Sequence, residues 1–204
     1  MDIKKELEYF EIDGAFGGNQ DWFTNVVMNI GGCAAATACD CCIYFARQMG
    51  IKELYPFDAD SLNKEDYKRF SQMMKPYIRP RAGGVRKLAW FVGGFRKYME
   101  DVKAAGRIGM EEFSGTRTVK EAGELIQGQI KQEMPVPVLL LQHRDRDKFK
   151  DYIWHWFLIV GFGQEDGDFK IKTATYGEAA WFSLREMWDT GFAEKGGLIK
   201  LVRQ

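Results

Sequence analysis

The hydrophobic period of this chain changes once, at Pro135, and that change constrains the fold class more than any other feature. Before it, apolar residues recur at helical spacing. Ala38, Cys42, Phe45 and Met49 form one stripe. Leu88, Phe91, Val92, Phe95, Tyr98, Met99 and Val102 form a second, and Ala122, Leu125, Ile126 and Ile130 a third. After Pro135 come two short apolar runs, VPVLLLQ (136–142) and WHWFLIVGF (154–162), followed by the alternating FKIKTATY (169–176). These read as two buried strands and one half-buried strand. QEDGD between the last two predicts a hairpin turn with Asp166–Gly167 at its tip. SLREMW (183–188) predicts a short helix and LIKLV (198–202) a last strand. Helices first and an antiparallel sheet afterwards is an α+β arrangement.

The 204 residues suit one domain, and 46% hydrophobic residues supply its core without staples. The reading is a single domain over 1–204, with a helical lobe over about 14–134 and a sheet lobe over about 135–204. No repeat or low-complexity tract interrupts it. Gly50 is a helix stop, Ser61 a cap for a helix over Lys64 to Met74, and Thr118 with Glu121 a capping box. Gly93–Gly94 sits inside the second stripe, where each glycine costs roughly 1 kcal/mol, so the pair marks close packing or a break.

Charge excludes some functions. Twenty-nine basic residues balance 29 acidic ones, so no broad basic footprint for nucleic acid is expected. Trp90, Phe91, Phe95 and Tyr98 fall at helical spacing and read as core rather than a base-stacking platform. No phosphate-binding glycine motif is present. The N-terminal MDIKKELEYF has no apolar stretch of signal-peptide type, and the longest apolar runs are far short of the roughly 20 residues of a membrane helix. No membrane span is expected. The four cysteines crowd into residues 33–42, which favours reduced thiols and a cytoplasmic setting. Their spacing, C-x5-C-x-C-C, is not a zinc pattern, so neither metal nor cofactor is expected.

Scarcity narrows the chemistry. A histidine mechanism must use His143 or His155, and a thiol mechanism Cys33, Cys39, Cys41 or Cys42. Cys33 follows Gly31–Gly32 where a glycine-rich loop becomes a helix, a position that favours thiolate and aims backbone N–H groups at an oxyanion. The other three cysteines read as small apolar residues of a buried helix. His143 opens the charged segment HRDRDKFKD and is expected at the surface, whereas His155 lies between Trp154 and Trp156 on an apolar strand. On the residues alone, Cys33 and His155 also fit a core cysteine and a structural histidine.

Three stretches carry a family resemblance: NQDW followed by GGCAAATACDCC, EMPVPVLLLQ, and WHWFLIVGF with its DG turn, FKIKTATYG and FSLREMW. In order and spacing they resemble the papain-like cysteine peptidases, in the branch of the bacteriocin double-glycine-leader peptidases and their stand-alone relatives. FVGGFRKYMEDVKAAG is similar to that branch's middle segment, and the resemblance runs from about residue 15 to 190. It implies a papain-like fold and a cysteine peptidase acting on a peptide or protein substrate. Cys33 would be the nucleophile, His155 the base, and Gln20 the oxyanion donor beside the Cys33 N–H, with Asn19 and Asn25 as fallback donors. The family's third residue, an Asp or Asn on the next strand, aligns with Thr173, which offers no charge to an imidazolium. Thr175 faces the same side at period two. Asp166 and Asp168 lie near the hairpin tip. The departure leaves three readings: a Cys–His peptidase, a papain-like acyltransferase, and a catalytically weakened peptide-binding pseudopeptidase.

Overall fold

The computed structural model describes residues 4–81 and 83–204. Its strands are β1 (Lys4–Glu6), β2 (Glu11–Ile12), β3 (Ala15–Phe16), β4 (Ile108–Ser114), β5 (Val136–Leu140), β6 (His155–Glu165), β7 (Asp168–Thr175), β8 (Glu178–Ser183) and β9 (Gly196–Arg203). Its helices are α1 (Val26–Gly31), α2 (Cys33–Gln48), α3 (Lys64–Met74), α4 (Leu88–Asp101), α5 (Val119–Lys131), α6 (Arg146–Phe149) and α7 (Leu184–Trp188). The molecule is therefore mixed, with helices beside an antiparallel sheet. No helix among the described residues is long and apolar enough to cross a membrane.

The main sheet runs β4-β9-β5-β6-β7-β8, with every pairing antiparallel. β6 is its longest strand. Its first half pairs with β5, from Leu140↔His155 to Val136↔Ile159, and its second half pairs with β1 along the same side. The pairing with β7 shifts register between Ile159 and Gly161, and Leu7 N–H donates to the carbonyl of Val160 at that irregularity. β1 and β4 come from the N-terminal two-thirds of the chain, so strands are not confined to residues 135–204. β4 escapes a periodicity reading because it is an edge strand, with Glu111 and Glu112 outward and Gly109 inside it.

Helix ends follow local chemistry. The Thr118–Glu121 capping box forms in both directions on α5. α3 begins at Lys64, but its cap is Asn63, not Ser61. Asn63 directly precedes the helix and its Oδ1 accepts from Asp66 N–H at 2.9 Å, whereas Ser61 is three residues before Lys64. The Asp166–Gly167 hairpin turn forms with both residues at positive φ, 49° and 79°.

α2 packs on β6 and against α3. Thirteen of its residues are buried, including Cys39, Cys41 and Cys42. A helix enclosed on nearly all sides needs small side chains, and the run CAAATACDCC supplies them.

The glycine pair of α4 divides into two roles. A Cβ on Gly94 would lie 2.4 Å from the carbonyl oxygen of Tyr77, while one on Gly93 would meet nothing within 4 Å. Gly94 therefore admits the Tyr77 backbone, and Gly93 only lowers helix propensity. We expect Gly93→Ala to stabilise the chain by about 0.5–1 kcal/mol and Gly94→Ala to destabilise it by about 1–3 kcal/mol. Chemical denaturation of the two variants measures both.

Candidate active site

Cys33 is the first residue of α2, immediately after α1. Gly32 joins the helices, and a Cβ there would lie 2.2 Å from the carbonyl oxygen of Met28. A side chain at position 32 would collide with that carbonyl, so the junction before the thiol requires glycine. His155 opens β6, and Thr175 and Tyr176 close β7 and enter the turn to β8. Cys33, His155, Gln20, Thr175, Tyr176 and Asp40 line one cavity of about 10 Å³, room for a single water. Cys33 is only 6% exposed and His155 5%.

The imidazole is held from two sides. His155 Nε2 lies 2.7 Å from the hydroxyl oxygen of Thr175. Tyr176 stacks on the ring, with centroids 4.6 Å apart and planes 7° from parallel. Its hydroxyl is 3.3 Å from Nδ1. Between nearly parallel rings, such a contact comes over the face, outside the plane of the Nδ1 lone pair. The tautomer that donates from Nε2 to Thr175 therefore keeps Nδ1 as a proton acceptor.

Thr173, aligned with the family's third residue, does not touch His155. It is paired with Ile159, four residues along β6 from His155. Its hydroxyl contacts Tyr152 at 2.9 Å and donates to the Ala180 carbonyl at 3.2 Å. Thr175, two residues nearer the His155 end, is the threonine whose hydroxyl meets the ring. Period-two alternation put both threonines on one face, but only strand register separates them.

Gln20 sits in a 3-10 turn (Gln20–Trp22) capped by Asn19, whose Oδ1 accepts from Asp21 N–H. Its Nε2 donates to the Asn29 carbonyl at 3.0 Å, leaving a second N–H, and its Oε1 is buried with no protein partner. Asn19 Nδ2 donates to the Tyr176 carbonyl, so that fallback donor is engaged, and Asn25 Oδ1 accepts from Met28 N–H as the cap of α1.

His143 is buried, 3% exposed, against the expectation from its charged neighbours. Its Nδ1 accepts from Asp145 N–H at 3.0 Å, its Nε2 faces the Glu186 carbonyl at 2.9 Å, and its ring packs on Phe149. One tautomer satisfies both nitrogens, so His143 holds the β5–β6 connection to α7. The solvated segment begins just after it.

Burial sets the protonation states. Desolvation pushes the Cys33 thiol above its ordinary value, although backbone N–H groups of Trp156, Ala34 and Cys33 itself pull the other way. The helix-start position favours thiolate, but enclosure outweighs it. Desolvation likewise lowers His155 to about 3. The resting pair is thiol and neutral imidazole. Among the described residues, no three His, Cys, Asp or Glu side chains gather as a metal site.

No protein-family model matches the chain, and comparison with curated proteins gives no match.

The His155 shift has a thermodynamic sign. The unfolded chain takes up this proton near pH 6.5 and the folded chain only near 3. Between those values the unfolded state binds more protons, so this group's contribution to stability rises with pH. The native chain should therefore gain about 1.4 kcal/mol per pH unit relative to His155→Gln within that window. Urea denaturation of both chains across the window reads the difference.

Proposed function

We propose that this chain is a papain-like cysteine peptidase that cleaves an amide bond in a peptide or protein. Cys33 is the nucleophile, His155 the base, Thr175 the residue that orients His155, and Gln20 with the Cys33 N–H the oxyanion donors. The observation that carries this reading is the convergence at one cavity of three sequence-distant groups. They are a thiol at a helix start, an imidazole fixed at Nε2, and a buried amide with a spare N–H.

In this mechanism, His155 Nδ1 takes the Cys33 proton as sulfur bonds to the carbonyl carbon. The carbonyl π electrons move to oxygen, which the Gln20 and Cys33 N–H groups stabilise. The C–N bond then breaks as the imidazolium returns the proton to the departing amine. Water attacks the thioester with His155 as base, releasing the carboxylic acid and restoring the thiol. An amine acceptor in place of water gives acyl transfer by the same steps. Thr175 carries no charge, so imidazolium is stabilised less than a carboxylate would stabilise it.

One observation favours a second reading, a peptide-binding pseudopeptidase. The thiol and imidazole are both enclosed and both held in their neutral forms.

The test is thiol alkylation followed by turnover of an unstructured protein such as casein. A substoichiometric dose of iodoacetamide should label Cys33 ahead of Cys39, Cys41 and Cys42, and cleavage should vanish in Cys33→Ala and His155→Ala. Cys33 labelled no faster than Cys39, Cys41 and Cys42, with no cleavage, overturns the peptidase reading in favour of the pseudopeptidase. Thr175→Val should lower kcat/KM by about tenfold or more, the equivalent of roughly 1–3 kcal/mol for one orienting hydrogen bond. Thr173→Val should leave kcat/KM within about twofold and lower stability alone, because its hydroxyl is about 1 kcal/mol of packing-strand hydrogen bonding.

A further inference from the structure

Cys33, Thr37 and Asp40 follow one another at spacings of four and three on α2, so they share a face, and all three line the cavity. Asp40 is 5% exposed. No cation pairs with it among the described residues. Its partners are neutral donors: the hydroxyls of Tyr67 on Oδ1 and Tyr9 on Oδ2, both at 2.8 Å, and the Gly18 N–H on Oδ2 at 3.2 Å.

The Gly18 bond leads to the rest of the site. The Gly18 carbonyl accepts from Gly177 N–H at 3.0 Å, and the Gly177 carbonyl accepts from Phe16 N–H at 2.8 Å. Asn19 Nδ2 donates to the Tyr176 carbonyl at 2.9 Å. Gln20 is two residues beyond Gly18, and Tyr176 is the ring stacked on His155. Close approach enforces glycine here: a Cβ on Gly18 would lie 1.9 Å from the Tyr67 hydroxyl oxygen, and one on Gly17 would lie 3.0 Å from Asp40 Oδ2.

We propose that Asp40 is a positioning residue of this site, tying the Gln20 loop and, through it, the Tyr176–Gly177 turn to the nucleophile helix. The role rests on the peptidase reading above, but the tie itself is measurable without substrate. Burial pushes the Asp40 carboxyl up to about 6, with the bonds from Tyr67, Tyr9 and Gly18 opposing the rise. The titratable groups facing it are Tyr9, from the segment after β1, Tyr67 on α3, and the Cys39, Cys41 and Cys42 thiols on its own helix. All five are pushed up and stay uncharged at neutral pH, so Asp40 alone changes charge there. A proton on Oδ1 can be donated to the Tyr67 oxygen, since that hydroxyl has the Ala36 carbonyl at 3.3 Å as a second acceptor. The Gly18 N–H has no such alternative. Its bond passes from charge-assisted to neutral, at roughly half the strength, and the loop loosens.

Backbone and side-chain amide NMR of the isotope-labelled full chain, titrated across this range, tests the tie. The Gly18 and Gly177 amides and the Gln20 side-chain amide should shift together with one midpoint at about 6. Asp40→Asn should flatten all three curves while the spectrum remains that of a folded chain. Tyr67→Phe, which removes one donor, should keep the joint transition and move it up by about half a pH unit or more; this variant carries the test if Asp40→Asn does not fold. The proposal is overturned if Gly18 does not titrate, if Gly177 and Gln20 do not follow it, if Asp40→Asn leaves the curves in place, or if Tyr67→Phe leaves the midpoint unmoved. A joint titration in a chain whose Cys33 is unreactive overturns the peptidase reading and leaves the tie standing.

Discussion

The site depends on the enclosure of helix α2. Over Cys33–Cys42 this enclosed helix is built from alanine, cysteine and threonine around one aspartate, and larger buried residues follow only from Ile43. The same enclosure withdraws water from whatever polar groups the helix carries. A thiol there is held protonated, and a carboxylate there must be satisfied by neutral donors. Cys33 and Asp40, seven residues apart on one face, express both consequences, and the loops that satisfy Asp40 also border Cys33.

The electrostatic balance follows from that enclosure. A Cys–His pair works as a nucleophile by moving one proton from sulfur to nitrogen, and low dielectric opposes the separated charges. Backbone N–H groups of α2 and β6 face the sulfur and favour thiolate, but they offset only part of the desolvation. On the other side, Thr175 fixes the ring of His155 without contributing charge. Cys33 and His155 line one cavity, and burial favours the neutral form of each.

Much of the architecture was legible in the chain. The period change at Pro135, the capping box at Thr118 and the DG turn each report local physics that tertiary packing leaves intact. β4 was not legible, because an edge strand with outward glutamates and an internal glycine lacks a clean alternation. His143 misled for a related reason: its charged neighbours begin just after it, while its own ring nitrogens are satisfied by backbone groups, one of them 43 residues away. Asp40 gave no signal at all, since a lone carboxylate in an alanine-rich run looks like a solvated position until the partners around it are known.

The sequence by itself determined which groups were available: two imidazoles and one thiol that follows a glycine pair at a helix start. It also determined which elements would form, because caps, turns and periodicity act over a few residues. Only the tertiary structure decided which groups meet. Strand register placed Thr175 rather than Thr173 on His155, since a shift of two residues along β7 preserves the face and changes the partner. Burial, a property of the whole packed fold, decided the protonation states of Cys33, Asp40 and His155.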